Sequence, residues 1–131
     1  MFTQNQIKQL LTTQDALNSS LDPNWKRNDW DFMLAASLEC AEAIEHHGWK
    51  WWKKQEPDLP QVKMELIDIL HFLLSQTLKT SCPITVEYTQ AVKLSYGGLD
   101  ILRDLLETTS STDMYALSHS IKNLIQAFHT Y

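Results

Sequence analysis

The amino-acid sequence predicts an all-α fold, a helical bundle of about five helices making one domain across residues 1–131. Three observations carry that expectation. Apolar residues recur at steps of three and four along most of the chain, the period of a helix face. No stretch alternates apolar and polar residues in the manner of a half-buried strand. The prolines fall at the borders of the periodic stretches, where they open or end helices.

From Thr3 to about Leu21, the residues Ile7, Leu10, Leu11, Leu17 and Leu21 form an apolar stripe. Asp22-Pro23-Asn24 ends this helix, because proline disfavours helix in the residue before it and lacks an N–H. Asn28 or Asp29 is the expected cap of a second helix, running through Leu34, Leu38, Ala41 and Ile44 to about His47, where Gly48 stops it. The charge-rich stretch from Trp49 to Leu59 reads as a connection. Pro60 suits the first turn of a third helix, from Gln61 to about Thr80. Pro83 opens a fourth through Val86, Val92, Leu94, Leu99, Leu102 and Leu105, in which Gly97-Gly98 predicts a kink or a close helix contact. The polar run Thr108 to Thr112 is a turn, with Ser110 and Asp113 resembling a capping box. Met114, Leu117, Ile121, Leu124, Ile125 and Phe128 define the fifth helix.

Apolar residues make up 44% and charged residues 21% of the 131, a globular mixture long enough to bury a core without disulfides. Eleven Lys and Arg against sixteen Asp and Glu leave a net charge of −5. That balance argues against nucleic-acid binding, which needs a basic face to displace counterions. The longest apolar stretch, Leu66 to Leu74, is interrupted by Asp68 and His71, so no membrane span is expected. Phe2 to Gln6 has neither the basic start nor the apolar run of a signal peptide. Cys40 and Cys82 show neither CxxC nor disulfide spacing, which suits a cytoplasmic protein. With only three glycines, a Gly-rich phosphate loop is excluded.

Helices two and three carry the informative chemistry. Glu39 and Glu42 lie three apart on one, and Glu65 and Asp68 three apart on the other, so each pair points its carboxylates the same way. Like charges at that spacing repel by about 0.2–0.5 kcal/mol even in water. No Lys or Arg stands one turn away to relieve them, and the third helix is apolar nearly all round. Two readings stay open: the acids are a solvated face, or they converge on a divalent cation. Oxygen-only ligands select Mg²⁺, with Mn²⁺ as the other acceptable ion, and disfavour zinc. Asp68 and His71 also match half of a di-iron helix site, but helix two offers no matching half.

Trp49, Trp51 and Trp52 read first as packing residues. Lys50 and Lys53 beside an acidic metal site are suited to a phosphate. Gln14 and Asn18 lie four apart, so their amides share a face and offer donors and acceptors of the kind a nucleobase edge needs.

Taken together, Gln14 to Asn18, Asp22-Pro23-Asn24-Trp25, Glu39-x-x-Glu42, Trp49-Lys50-Trp51-Trp52-Lys53 and Glu65 to Phe72 resemble the dimeric dUTPases. These belong to the all-α nucleoside triphosphate pyrophosphatases, with the MazG-like enzymes. The resemblance implies hydrolysis of dUTP to dUMP and pyrophosphate, with water attacking the α-phosphorus. Glu39, Glu42, Glu65 and Asp68 would hold Mg²⁺, and Glu39 or Glu42 would activate the water. Gln14 and Asn18 map to uracil-reading positions, and Phe72 and His71 to the deoxyribose pocket. Lys50 and Lys53 map beside the phosphates, and Trp49 or Trp52 beside the base or a subunit interface. A homodimer is implied, and the apolar third helix needs covering on more sides than this short chain supplies. The family's downstream Lys/Asn/Arg-rich stretch with Gly-Tyr, which completes the phosphate clamp, has no counterpart between Pro83 and Tyr131; either the chain is shortened or a partner subunit or other residues supply the clamp, and metal binding is expected more firmly than turnover. Two other functions fit the same residues: a pyrophosphatase for another nucleotide such as dCTP, and a non-catalytic helical dimer that binds proteins through its tryptophans.

Overall fold

The computed structural model describes residues 2–84 and 97–131. Five α-helices follow in order, α1 (Gln4–Leu21), α2 (Phe32–His47), α3 (Leu59–Thr80), α4 (Gly98–Ser110) and α5 (Ala116–Thr130), with no strand among the described residues. The all-α expectation holds. Val86, Val92 and Leu94, expected in the fourth helix, lie outside the described residues.

Local signals explain most helix ends. Thr3 and Gln6 form a reciprocal capping box that starts α1. Asp22, before Pro23, leaves helical geometry and closes it. A 3₁₀ turn, Trp25–Arg27, follows and is pinned from inside. Trp25 is 1% exposed, and its indole N–H donates to Asp15 Oδ1 at 3.0 Å. The cap of α2 is Asp31, whose Oδ1 accepts from Leu34 N at 2.9 Å, rather than Asn28 or Asp29. Asn28 is committed elsewhere, its amide donating to Asp22 Oδ2 at 2.7 Å. Gly48 ends α2 at φ 81°, where an L side chain is strained. Asp58 caps α3 with Pro60 in its first turn.

Two further corrections concern α4 and α5. The fourth helix does not run through its glycine pair; Gly97 is extended and α4 begins at Gly98. The close contact is present instead: a Cβ on Gly98 would come 2.5 Å from Tyr131 Oη. Ser110 and Asp113 form no capping box. Ser110 is still helical and returns its hydroxyl to the Leu106 carbonyl at 2.7 Å, while Met114, 84% exposed, precedes α5.

The core forms where α2 lies between α3 and α4, with α5 against α3 and α4, and α1 against α3. Its α2 contribution is small: Ala36, Cys40 and Ala43. These meet Val62, Leu66, Ile69 and Leu73 of α3, Ile101, Leu102 and Leu105 of α4, and Ile121, Leu124, Ile125 and Ala127 of α5. Small residues at helical spacing let two neighbours approach one helix closely. Leu34 and Leu38, expected to point inward, are turned out to solvent for that reason.

Candidate active site

The small face of α2 draws α3 close, and Glu39, Glu42 and Glu65 meet at that seam. One carboxylate oxygen from each of these acids lies within 4.8 Å of the others. Asp68 stands outside this tight group, yet its charge acts on Glu39. The Glu39 carboxyl is pushed up to about 7, first by burial, then by a hydrogen bond with Glu65 and the charges of Glu42, Glu65 and Asp68. Glu42 is exposed, whereas Glu65 is only 3% exposed. Glu65 Oε1 accepts from Gln61 Nε2 at 2.7 Å and lies 3.6 Å from His46 Nε2. Gln61 and His46 were not singled out from the sequence. Each stands one turn from an acid, and that spacing was the available signal.

Three crowded carboxylates suit a hard divalent cation, because such an ion would offset the repulsion that adds to burial in raising Glu39. The donor set contains oxygen alone. His71, the histidine of the di-iron-like spacing, is turned away from the acids. Its Nδ1 lies 2.6 Å from Gln14 Oε1.

A second feature adjoins the acids. Gln14, Asn18, Phe32, Ala35, His71 and Phe72 line a cleft of about 370 Å³ between α1, the start of α2 and α3. Ala35 precedes Glu39 by four residues and Phe72 follows Asp68 by four, so cleft and acids are one helical turn apart on both helices. One side of this largely apolar cleft carries a hydrogen-bonded row of polar side chains. Gln14 Nε2 donates to Asn18 Oδ1 at 2.9 Å, and Asn18 Nδ2 donates to Ser75 Oγ at 2.9 Å. Ser75 is a further residue the sequence did not single out, although it stands one turn beyond His71 on an apolar helix. The expected apolar stripe of α1 is thus partly replaced by amides: Gln14 and Asn18 are buried, while Leu17 and Leu21 at the cleft mouth are exposed.

The tryptophan loop departs from expectation. Trp49, Trp51 and Trp52 are 40%, 90% and 56% exposed, not packed in the core. The rings of Trp49 and Trp51 each meet Trp52 edge-on, at 5.3 and 5.5 Å, because this surface loop offers them no core to enter. Trp49 Nε1 donates to Glu45 Oε1 at 2.8 Å, and Lys50 Nζ lies 3.4 Å from Glu45 Oε2. The Trp49 bond and then Lys50 hold the Glu45 carboxyl below its ordinary value. Lys53 is exposed.

The chain is thus an all-α bundle that sets a group of crowded carboxylates beside a cleft bearing two amides. A family model described as dUTPase matches residues 6–131, and the chain belongs to that all-α dUTPase family. No curated protein matches the chain. The family's activity is dUTP hydrolysis in general, on a nucleotide substrate and with a divalent metal. No helix among the described residues is long and apolar enough to cross a membrane.

Proposed function

We propose that this chain hydrolyses dUTP to dUMP and pyrophosphate, with Mg²⁺ held by Glu39, Glu42, Glu65 and Asp68, and Mn²⁺ as the alternative ion. The observation that carries this reading is the convergence of Glu39, Glu42 and Glu65 within 4.8 Å, one turn from the amide-lined cleft. Bound there, the cation supplies positive charge against the acids and polarises the phosphoryl oxygens. Glu39 or Glu42 takes the proton from the water that attacks the α-phosphorus. Gln14 and Asn18 face the uracil edge. Phe72, with His71 beside it, walls the deoxyribose, where a 2′-hydroxyl would find no partner. Lys50 and Lys53 lie in the loop after α2 and meet the phosphates; Lys50 must leave Glu45 to do so. Trp49 and Trp52 flank the base or a subunit boundary.

A homodimer completes the site in this reading. Leu34, Leu38, Met64 and Ile67 are 55%, 57%, 52% and 40% exposed, on the same two helices as the acids. An apolar face of that kind marks an interaction surface. Free Cys40 and Cys82 suit a reducing cytoplasm, where we place the protein.

The deciding assay is pyrophosphate release from dUTP, dCTP, dTTP and UTP with Mg²⁺. Fastest release from dUTP is expected. Equal slow release from all four would reject uracil reading, and a preference for dCTP would favour the other pyrimidine.

A further inference from the structure

A hydrogen-bond circuit lies in the cleft wall, and its direction follows from one anchor. Ser75 Oγ is 2.9 Å from the main-chain carbonyl oxygen of His71 and 2.9 Å from Asn18 Nδ2. A carbonyl only accepts, so the single hydroxyl proton lies toward it; turned the other way, two lone-pair oxygens would face each other. Ser75 Oγ is then an acceptor toward Asn18, and the atom it meets must be the amide nitrogen. Asn18 Oδ1 consequently accepts from Gln14 Nε2 at 2.9 Å. Gln14 Oε1 is left to accept from His71 Nδ1, 2.6 Å away. Gln14, Asn18 and Ser75 are 4%, 6% and 2% exposed, so little water is at hand to replace these partners.

The consequence concerns selectivity. A free primary amide can serve either pyrimidine, because turning it over exchanges its donor and its acceptor. Uracil and cytosine differ by that same exchange: N3–H beside the accepting O4 in one, an accepting N3 beside the N4 amino group in the other. We propose that Ser75 is a positioning residue for base selectivity: by fixing which way round the Asn18 amide stands, it makes the cleft choose between the two pyrimidines. The inference rests on the reading of this cleft as the base site. Ser75 borders the cleft but is only 2% exposed, and it acts through Asn18.

The test is calorimetric binding of dUMP and dCMP in excess Mg²⁺ to the unaltered chain, Ser75→Ala, Ser75→Cys, Ser75→Thr and Asn18→Ala, with melts to establish that each is folded. The unaltered chain should prefer dUMP. Ser75→Ala should lower the ratio of the two affinities about tenfold, the worth of one lost orienting bond, and the near-isosteric Ser75→Cys should fall in between. Ser75→Thr keeps a hydroxyl able to bond the same carbonyl and should restore the preference. An unchanged ratio in Ser75→Ala, or equal weakening toward both nucleotides, would overturn the inference; if Asn18→Ala still removed the preference, the base site would stand. No preference in the unaltered chain, or none lost in Asn18→Ala, would remove the base-site reading and the inference with it.

Discussion

At Glu39, burial and three neighbouring anions all push in one direction, and its carboxyl moves from an ordinary 4.5 to about 7. An acid raised on folding is held more tightly as the protonated form in the folded chain than in the unfolded one. The stability this group contributes is therefore fullest below the unfolded value, declines as pH climbs through about 7, and is then lost. Metal-free protein should melt lower near pH 8 than near pH 5.5, and Glu39→Gln should flatten that slope. An identical slope in the variant would show that the strain lies elsewhere. Glu42→Gln or Asp68→Asn should remove Mg²⁺ binding, read by calorimetry, while circular dichroism stays helical; unchanged affinity would release that residue from the ligand set. The acids were legible in the sequence because carboxylates three apart with no cation one turn away are conspicuous. Ser75 was not, since a serine on an apolar helix commonly just bonds the carbonyl one turn back. That bond is present here, and only the fold reveals Asn18 on the other side of the same oxygen. Trp25 matched a motif without a role. Its buried indole N–H on Asp15 makes it the peg that holds the 3₁₀ turn to α1.

Among the elements, α3 is covered on fewer sides than its sequence implied, and α2 was read out of register. On α3, apolar nearly all round, Val62, Leu66, Ile69 and Leu73 are at most 1% exposed, while Met64 and Ile67 are 52% and 40% exposed. On α2 the large leucines drew the stripe to Leu34 and Leu38, while beyond Phe32 in its first turn the buried residues are Ala36, Ser37, Cys40 and Ala43. Size misleads where a helix is pressed between two others, because the closest approach selects small side chains. The same seam sets the distance between the acid pairs, which ties packing to chemistry. Ala43 is 0% exposed within the core, so a larger side chain there must displace its neighbours. Ala43→Leu should cost about 1–3 kcal/mol in urea unfolding and weaken Mg²⁺ binding together, since both depend on how closely α2 lies on α3. A stable variant with full metal affinity would show that the seam has slack. The helix caps were legible only to within a few residues. Asn and Asp crowd the stretch before α2, and tertiary bonds such as Asn28 to Asp22 decide which of them remains free to cap.

For the molecule as a whole, two surfaces stand out: the exposed apolar residues of α2 and α3, and the tryptophan loop between these helices. Leu38 and Ile67 stand next to Glu39 and Asp68 in the chain, and the proposed homodimer would bury such surfaces against a second copy. Light scattering should give twice the chain mass, and Leu38→Glu should reduce it to one; a monomeric unaltered chain would detach this surface from self-association. The sequence carried the helix count and the acids, but not which leucines face outward, because exposure of an apolar face is a property of the assembled bundle. Whether the crowded carboxylates form a cation site is decided by thermal unfolding near pH 8, with and without Mg²⁺ at about a hundred times its dissociation constant. Binding to the folded state alone should add about 2.7 kcal/mol and raise the melting temperature by roughly 5–10 °C, an increase that Glu39→Gln should diminish. A melting temperature indifferent to Mg²⁺ and to Mn²⁺ would contradict the account.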